Sequence, residues 1–427
     1  MEYSFRGKYG PELVRRVADT IHKIGFQGVV VIARDSRPSS HALASLIVSG
    51  LLQNGNIVHD IGVVPTPVLS YYSKQHSCLG VMVTASHNPE DDNGIKMFFN
   101  GSEASNIQPN HSINPSSKII VADAAAGYIP AVLKYIDTSA IQRVRPKVVV
   151  DCGNGTAGAF TPLILRAAGA RVITVDAEIS HPFSRSPEPE YDTLAYLPAI
   201  VREMGAAFAV AHDADADRCR IVTADGVMPQ DIQLLNIASA ICKKGDLFVT
   251  TVEASQAVLD QLAKIGIRTE ITPVGSNHVA RAAARYGAKF GGEPCGEYVF
   301  PDFLLSADGV LSALVLTKIY CELKGFTAYN QYPIIRGKIA VSPNIPKYKI
   351  IEKVKGALRQ VPSINIVSEQ DGILFNYGGA RVLVRCSNTQ DIIRITCEHA
   401  DENRARQAYD WIKKVIVETT HNGYAIE

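Results

Sequence analysis

Three times along the chain an apolar strand runs into a short polar turn, a helical stretch, a glycine stop and a second strand. The first occurrence takes residues 29–33, the turn 34–37, a helical stretch 41–53, Asn54-Gly55 and a strand from 57. The second takes 147–151, the turn 152–155, a helix 159–168, Gly169 and a strand 171–176. The third takes 246–251, a helix 255–264, Gly266 and a strand 267–272. Apolar strands alternating with helices read as βαβ crossovers, which need a parallel or mixed sheet. Repeated at domain-sized intervals, they predict three similar α/β domains.

The pattern changes near residue 331. Apolar runs at 373–376, 381–385 and 392–396, separated by short polar turns and closed by a helix 402–419, predict a smaller C-terminal α+β domain. The expected domains are 1–132, 133–244, 245–330 and 331–427, with joints near 127–137, 243–245 and 326–331. Residues 100–117, rich in Asn, Ser and Pro, are expected as a surface excursion. A net charge of +1 on 427 residues gives no basic excess for nucleic acid. No apolar run approaches a membrane span, and the first residues lack a signal-peptide profile. Eight scattered cysteines, with no close pair, read as free thiols in a reducing cytoplasm. Small molecules are therefore the expected partners, with monomer and homodimer both open.

Chemistry concentrates in five turns. A buried strand at 79–83 ends in Thr84-Ala-Ser-His-Asn-Pro89, which puts the Ser86 hydroxyl at a turn tip, held by scaffold and open to a ligand. A strand at 207–211 runs into Asp213-Ala-Asp215-Ala-Asp217. Three crowded carboxylates repel one another unless a cation sits among them, and hard oxygen donors suit Mg²⁺. An EF-hand also opens Asp-x-Asp-x-Asp, but Arg218 stands where its glycine belongs and Ala224 where its glutamate belongs. Gly153-Asn-Gly155-Thr-Ala-Gly158, with Asp176 ending the next strand, has the form of a dinucleotide site and keeps an NAD-linked oxidoreductase open. The turn 291–297, with Glu293, Cys295 and Glu297, suits sugar hydroxyls. Arg385, Ser387, Asn388 and Thr389, with Arg394 as a second cation, suit a phosphate.

In this order the turns resemble those of the α-D-phosphohexomutase family, the phosphoglucomutases, phosphomannomutases and phosphoglucosamine mutases, over nearly the whole chain. Thr84 to Pro89 with Asn93-Gly-Ile-Lys96 is similar to the family's phosphoserine loop, and Asp213 to Arg218 to its metal loop. Gly292 to Glu297 falls at the sugar loop, and Arg385 to Thr389 at the phosphate loop. Ser4-Phe-Arg-Gly7, Arg34 to Arg37 and Val274-Gly275 are supporting matches. The resemblance implies three α/β domains and a smaller fourth around a central cleft. It also implies an isomerase in which phosphorylated Ser86 exchanges its phosphoryl group with a hexose phosphate through a 1,6-bisphosphate. Asp213, Asp215, Asp217 and the phosphoserine would hold Mg²⁺, with Arg6 and Arg218 close by. Lys96 would be the general acid/base if the site lowers its pKa, and His87 a loop-structuring residue. Hexose 1,6-bisphosphate would be the primer.

Two departures from the family pattern stand out. Cys295 and Glu297 replace the usual serine and histidine, and Gln390-Asp391 replaces Glu-Pro. The segments around Lys96 and Phe5 look like glucosamine mutases, whereas Ser387-Asn388-Thr389 looks like phosphomannomutase/phosphoglucomutase members. A non-catalytic sugar-phosphate-binding relative is the remaining alternative.

Overall fold

The structure is a computed structural model that describes residues 3–104, 107, 117–342, 346–387 and 391–421. In the first unit, Val29–Arg34 lies parallel to both Ile57–Val63 and Leu79–Val83. Asp92–Phe99 then runs back antiparallel along Leu79–Val83, so the sheet is mixed. Every residue of Leu79–Val83 is buried, as its unbroken apolar run requires. The second unit has a five-stranded sheet in which Phe208–Ala211 is parallel to Lys147–Asp151 and antiparallel to Arg220–Thr223. In the third, Leu247–Thr251 is parallel to Arg268–Thr272.

The first and third units are not separate sheets. They join into one sheet of twelve strands, where Leu304–Ala307 pairs in parallel with the short strand Ser102–Glu103 at Leu305 and Ser102. The expected excursion at 100–117 therefore contains the seam of the largest sheet; its residues 105–106 and 108–116 lie outside the described residues. One buried cluster runs without a break from Val31 and Tyr128 through Phe160 and Phe208 to Phe248 and Leu314. The expected joint at 127–137 is largely a helix, Ala125–Tyr135, with Tyr128 and Val132 in that cluster.

The fourth unit is an antiparallel five-stranded sheet, with Ile334–Ala340, Ile392–Glu398 and Ala380–Cys386 side by side. Helices Lys347–Leu358 and Glu402–His421 pack on it around its own core of Ile350, Phe375, Ile395 and Ile412. Its apolar contact with the third unit is a small cluster of Leu374 and Leu383 against Val252, with Ile271 and Val274 packed beside it. The helix expected at 159–168 is split into a 3₁₀ turn, Thr156–Ala159, and a helix, Thr161–Ala167. Pro162 sits in the first turn of that helix, where its missing N–H costs nothing, and so sets the start there. No described helix is long and apolar enough to cross a membrane.

Candidate active site

Ser86 follows the buried strand Leu79–Val83 and is itself buried, with a left-handed backbone at φ 51°. Such a conformation costs a non-glycine residue on the order of 1–3 kcal/mol and survives only where neighbours impose it. Here the main neighbour is Arg37. Its guanidinium donates to the carbonyls of Ser86 (2.6 Å), Asn88 (2.8 Å), Asp92 (3.0 Å) and Pro89. Asp35 braces Arg37 at 2.9 Å and also accepts from Thr84 Oγ1 at 2.7 Å. Thr84 Oγ1 in turn accepts the Ser86 N–H. Gly94 lets the strand Phe5–Lys8 lie close, because a Cβ there would meet the backbone of Phe5 and Arg6. That strand brings Arg6 to the loop, where it donates to the carbonyl of Ala85 at 3.2 Å.

The Ser86 hydroxyl donates to Asp213 Oδ2 at 2.9 Å. Asp213, Asp215 and Asp217 are all buried and each offers an oxygen within 4.8 Å of the others. Thr66 Oγ1 donates to Asp215 at 2.7 Å, and Lys96 Nζ reaches Asp215 at 3.0 Å and Asp217 at 2.6 Å. One ammonium does not neutralise three carboxylates. Burial, Asp217 and Asp215 push the Asp213 carboxyl well up, and burial with Asp215 raises Asp217 to about 6. Asp215 goes the other way. Burial works to raise it, but Lys96 and the Thr66 hydroxyl hold it below the ordinary range. Asp215 Oδ1 and Asp217 Oδ1 are buried with no hydrogen-bond partner among the described residues. Orphaned hard oxygens on a crowded acidic turn fit a divalent magnesium ion.

The geometry revises the expectation for Lys96. Burial would lower its pKa, but Asp215 and Asp217 outweigh burial and hold the ammonium protonated. His87 sits between Ser86 and two cations. Burial and the cations Arg218 and Arg6 push its imidazole well down and keep it neutral, at 3.4–3.5 Å from Ser86 Oγ, Arg6 and Arg218.

The residues of the expected sugar loop meet the triple-aspartate turn directly. Glu297 accepts from Arg218 Nε at 3.1 Å, and the two residues form an isolated β-bridge. Arg218 is thus held by the residue that replaced the expected histidine. Glu293 is buried and accepts the Gly275 N–H at 3.0 Å; burial and then Glu297 push its carboxyl well up. Cys295 is half-buried, and burial raises its thiol.

Arg385 and Ser387 are buried in the fourth unit, and Arg394 lies opposite Arg385 on the neighbouring strand. Arg385 is already engaged, donating from Nε to Glu253 Oε1 at 2.9 Å and from a terminal nitrogen to the same oxygen. Asn388 and Thr389, like Gln390, lie outside the described residues. Sequence reasoning noted Arg37 only as part of a supporting match, with no role, and missed Thr66 and Glu253. The repeat held a signal for two of them: Arg37 and Glu253 occupy the turn after the first strand of the first and third repeats, where open α/β sheets present ligand-binding residues.

The glycine-rich turn at 153–158 serves packing. A Cβ on Gly153 would meet the Arg185 guanidinium, on Gly155 the backbone of Ala214, and on Gly158 the backbone of Ala177. Arg185 is fixed over the turn by Asp151 at 2.8 Å and the His212 carbonyl at 2.6 Å. Asp176, which a dinucleotide ribose would need, accepts from the Ser184 hydroxyl. The turn opens a 3₁₀ segment and its approach is filled by the chain itself, so the NAD-linked reading is set aside.

Comparison with known proteins gives the same result at family level. Models of phosphoglucomutase/phosphomannomutase alpha/beta/alpha domains I, II and III match residues 3–114, 126–226 and 230–331. A protein of Methanothermobacter thermautotrophicus named "Probable phosphoglucosamine mutase" is 34% identical, the match covering 95% of this chain and 94% of the relative. One of the same name from Thermococcus kodakarensis is 32% identical over 97% of each chain. Among solved structures, a phosphoglucomutase/phosphomannomutase family protein from Burkholderia thailandensis superposes with a TM-score of 0.85 at 24% identity, over 99% of this chain and 98% of the other. An Aspergillus fumigatus N-acetylphosphoglucosamine mutase in complex with GlcNAc-6P and magnesium gives 0.60 at 16% identity, over 92% and 78%.

Proposed function

The chain belongs to the phosphoglucomutase/phosphomannomutase family, and from that premise we propose that it interconverts hexose 1-phosphate and hexose 6-phosphate through a phosphoserine at Ser86 and a hexose 1,6-bisphosphate. The carrying observation is the Ser86 hydroxyl 2.9 Å from Asp213, at the mouth of a buried carboxylate triad with orphaned oxygens. Asp213, Asp215 and Asp217 would hold magnesium, which when bound supplies positive charge beside the transferring group.

The chain's own residues account for the rest. In the first half-reaction a sugar hydroxyl oxygen gives up its proton and bonds to phosphorus as the bond from that phosphorus to Ser86 Oγ breaks and Oγ takes a proton. In the second, Ser86 Oγ bonds to the other phosphorus as the bond from it to its sugar oxygen breaks, and the proton passes back. Charge accumulates on the phosphoryl oxygens, where Arg6 and Arg218, each 3.5 Å from the ring of His87 beside Ser86, would be the donors. Without magnesium, Asp215 and Asp217 hold Lys96 as an ammonium, a form that suits a proton donor. Glu293, Cys295 and Glu297 would border the sugar, while Arg385, Ser387, Asn388, Thr389 and Arg394 would grip the distant phosphate. The four-domain division is kept with this reading, with boundaries at 244 and 330 and the first, expected at 132, placed ahead of the helix Ala125–Tyr135 that spans it. A cytoplasmic site of action suited to eight free cysteines is kept as well.

The relatives' name puts glucosamine phosphate first in a panel with glucose and mannose phosphates. The test is transfer of labelled phosphate from a hexose 1,6-bisphosphate to the protein, with conversion of each sugar 1-phosphate followed in parallel. Label is expected on Ser86 and absent from Ser86→Ala. Equal labelling of the variant would end this reading, and hexose-phosphate binding without any conversion would favour the non-catalytic alternative.

A further inference from the structure

The guanidinium best placed to hold a substrate phosphate is covered by a carboxylate of another unit. Glu253 lies in the turn beyond Leu247–Thr251, and its Oε1 takes both bonds from Arg385, whose side chain is 7% exposed against 33% for Glu253. Glu253 Oε2 makes no hydrogen bond among the described residues. Glu253 also lies near enough to Glu293 to raise its pKa, so it stands at the border of the phosphate grip and the sugar loop.

A phosphate dianion that takes Arg385 must displace this carboxylate and then lie beside it. Two anions in a half-buried cleft repel unless a cation comes between them. The sugar loop, 291–297, contains no lysine or arginine. Glu297 and Arg218 already satisfy each other at 3.1 Å. Arg394, across the strand from Arg385, is on the phosphate side of the border. Arg381 is committed to the Val252 carbonyl at 2.9 Å and Lys347 to the Ser387 carbonyl at 3.0 Å, so the further positive charge is most simply one that the substrate brings.

We propose that Glu253 is a specificity residue that selects a hexose phosphate bearing an ammonium group, which the carboxylate pairs with once the substrate phosphate has taken Arg385. The inference rests on the mutase reading above. It separates amino sugars from neutral sugars of the same shape, and from acetamido sugars in which the charge is masked. A carboxylate left without its cation disfavours the neutral competitor more than an added contact favours the correct one.

The test measures kcat/KM for glucosamine, glucose and N-acetylglucosamine 1-phosphates in the wild type, Glu253→Gln and Glu253→Asp. The wild type is expected to prefer the amino sugar by about tenfold or more. Glu253→Gln should bring the three near parity, raising KM for glucosamine 1-phosphate and lowering it for glucose 1-phosphate. Glu253→Asp should keep part of the preference. Inorganic phosphate should bind more tightly to Glu253→Gln, since it no longer displaces a carboxylate, and that readout needs no turnover. An unchanged preference in a folded Glu253→Gln would overturn the proposal. So would a wild type that converts neutral sugars best, and in that case Ser86 labelling would leave the mutase reading standing. A wild type that neither labels nor converts any sugar phosphate removes both.

Discussion

The two ends of the cleft are built in opposite ways. At the Ser86 end the first three units share one continuous core and one twelve-stranded sheet runs through two of them. Side chains from the first and second units meet there directly: Ser86 on Asp213, Thr66 on Asp215, Lys96 on Asp215 and Asp217. At the Arg385 end the fourth unit keeps its own core and meets the third through a small apolar cluster of Val252, Ile271, Val274, Leu374 and Leu383 and through polar links. The difference matches the chemistry each end would perform. Phosphoryl transfer needs groups held to fractions of an ångström, whereas a grip on the distant phosphate must release a bisphosphate long enough for it to turn over.

The comparison breaks most visibly at Arg37. Removing a buried cation that braces a strained loop leaves Asp35 uncompensated, so Arg37→Leu should cost about 3–5 kcal/mol in denaturant unfolding and abolish labelling of Ser86. If the variant is as stable as wild type, the Ser86 loop is not held in the way described.

Magnesium and pH give the next largest effect. Asp217, ordinarily near 3.8, is raised to about 6, so in the metal-free protein it keeps its proton in a range where the unfolded chain has lost it. That term therefore weakens stability as pH rises from about 4 to about 6. Magnesium needs the proton gone, so its affinity should rise with pH through the same window, with proton release on binding. Calorimetry in two buffers of different ionisation enthalpy measures that release; binding that is flat from pH 5 to 8 would contradict the triad as the site.

The smallest expected effect sharpens the other side. Glu398, on a strand of the fourth unit, accepts the Gln256 N–H at 2.9 Å and the Ser255 hydroxyl at the start of the third unit's helix Gln256–Lys264. Glu398→Ala should weaken docking by about 1–2 kcal/mol. Amide exchange should accelerate in the fourth unit and leave Val29–Arg34 and Phe208–Ala211 unchanged. Uniform acceleration across all four units would mean that the fourth is as firmly welded as the rest.

Most of the architecture was legible because it is local. Strands at 79–83, 147–151 and 171–175, and helices ending at Gln53 and Lys264, follow from apolar period and glycine stops. Ser86 and the aspartates were legible as turns after buried strands. What was hidden depends on residues far apart in the chain. Nothing near Ser102 indicates that it will pair with Leu305, and nothing near Glu253 indicates Arg385. Lys96 could be placed at the site but not assigned a charge state, because that follows from Asp215 and Asp217 and not from its own neighbours. The glycine pattern at 153–158 misled for a related reason. Close backbone approach needs glycine whether the visitor is a pyrophosphate or another stretch of the same protein.

The seam at Ser102 and Leu305 also bears on how the molecule is made. During synthesis the first unit emerges with Ser102–Glu103 at the margin of its sheet, and the strand that covers it leaves the ribosome about two hundred residues later. At cellular elongation rates that is a delay of roughly ten to forty seconds. Through that interval the nascent chain carries an open hydrogen-bonding margin beside Phe98 and Phe99. Chaperone capture, or a mispaired neighbour on the same polysome, has its clearest opening there.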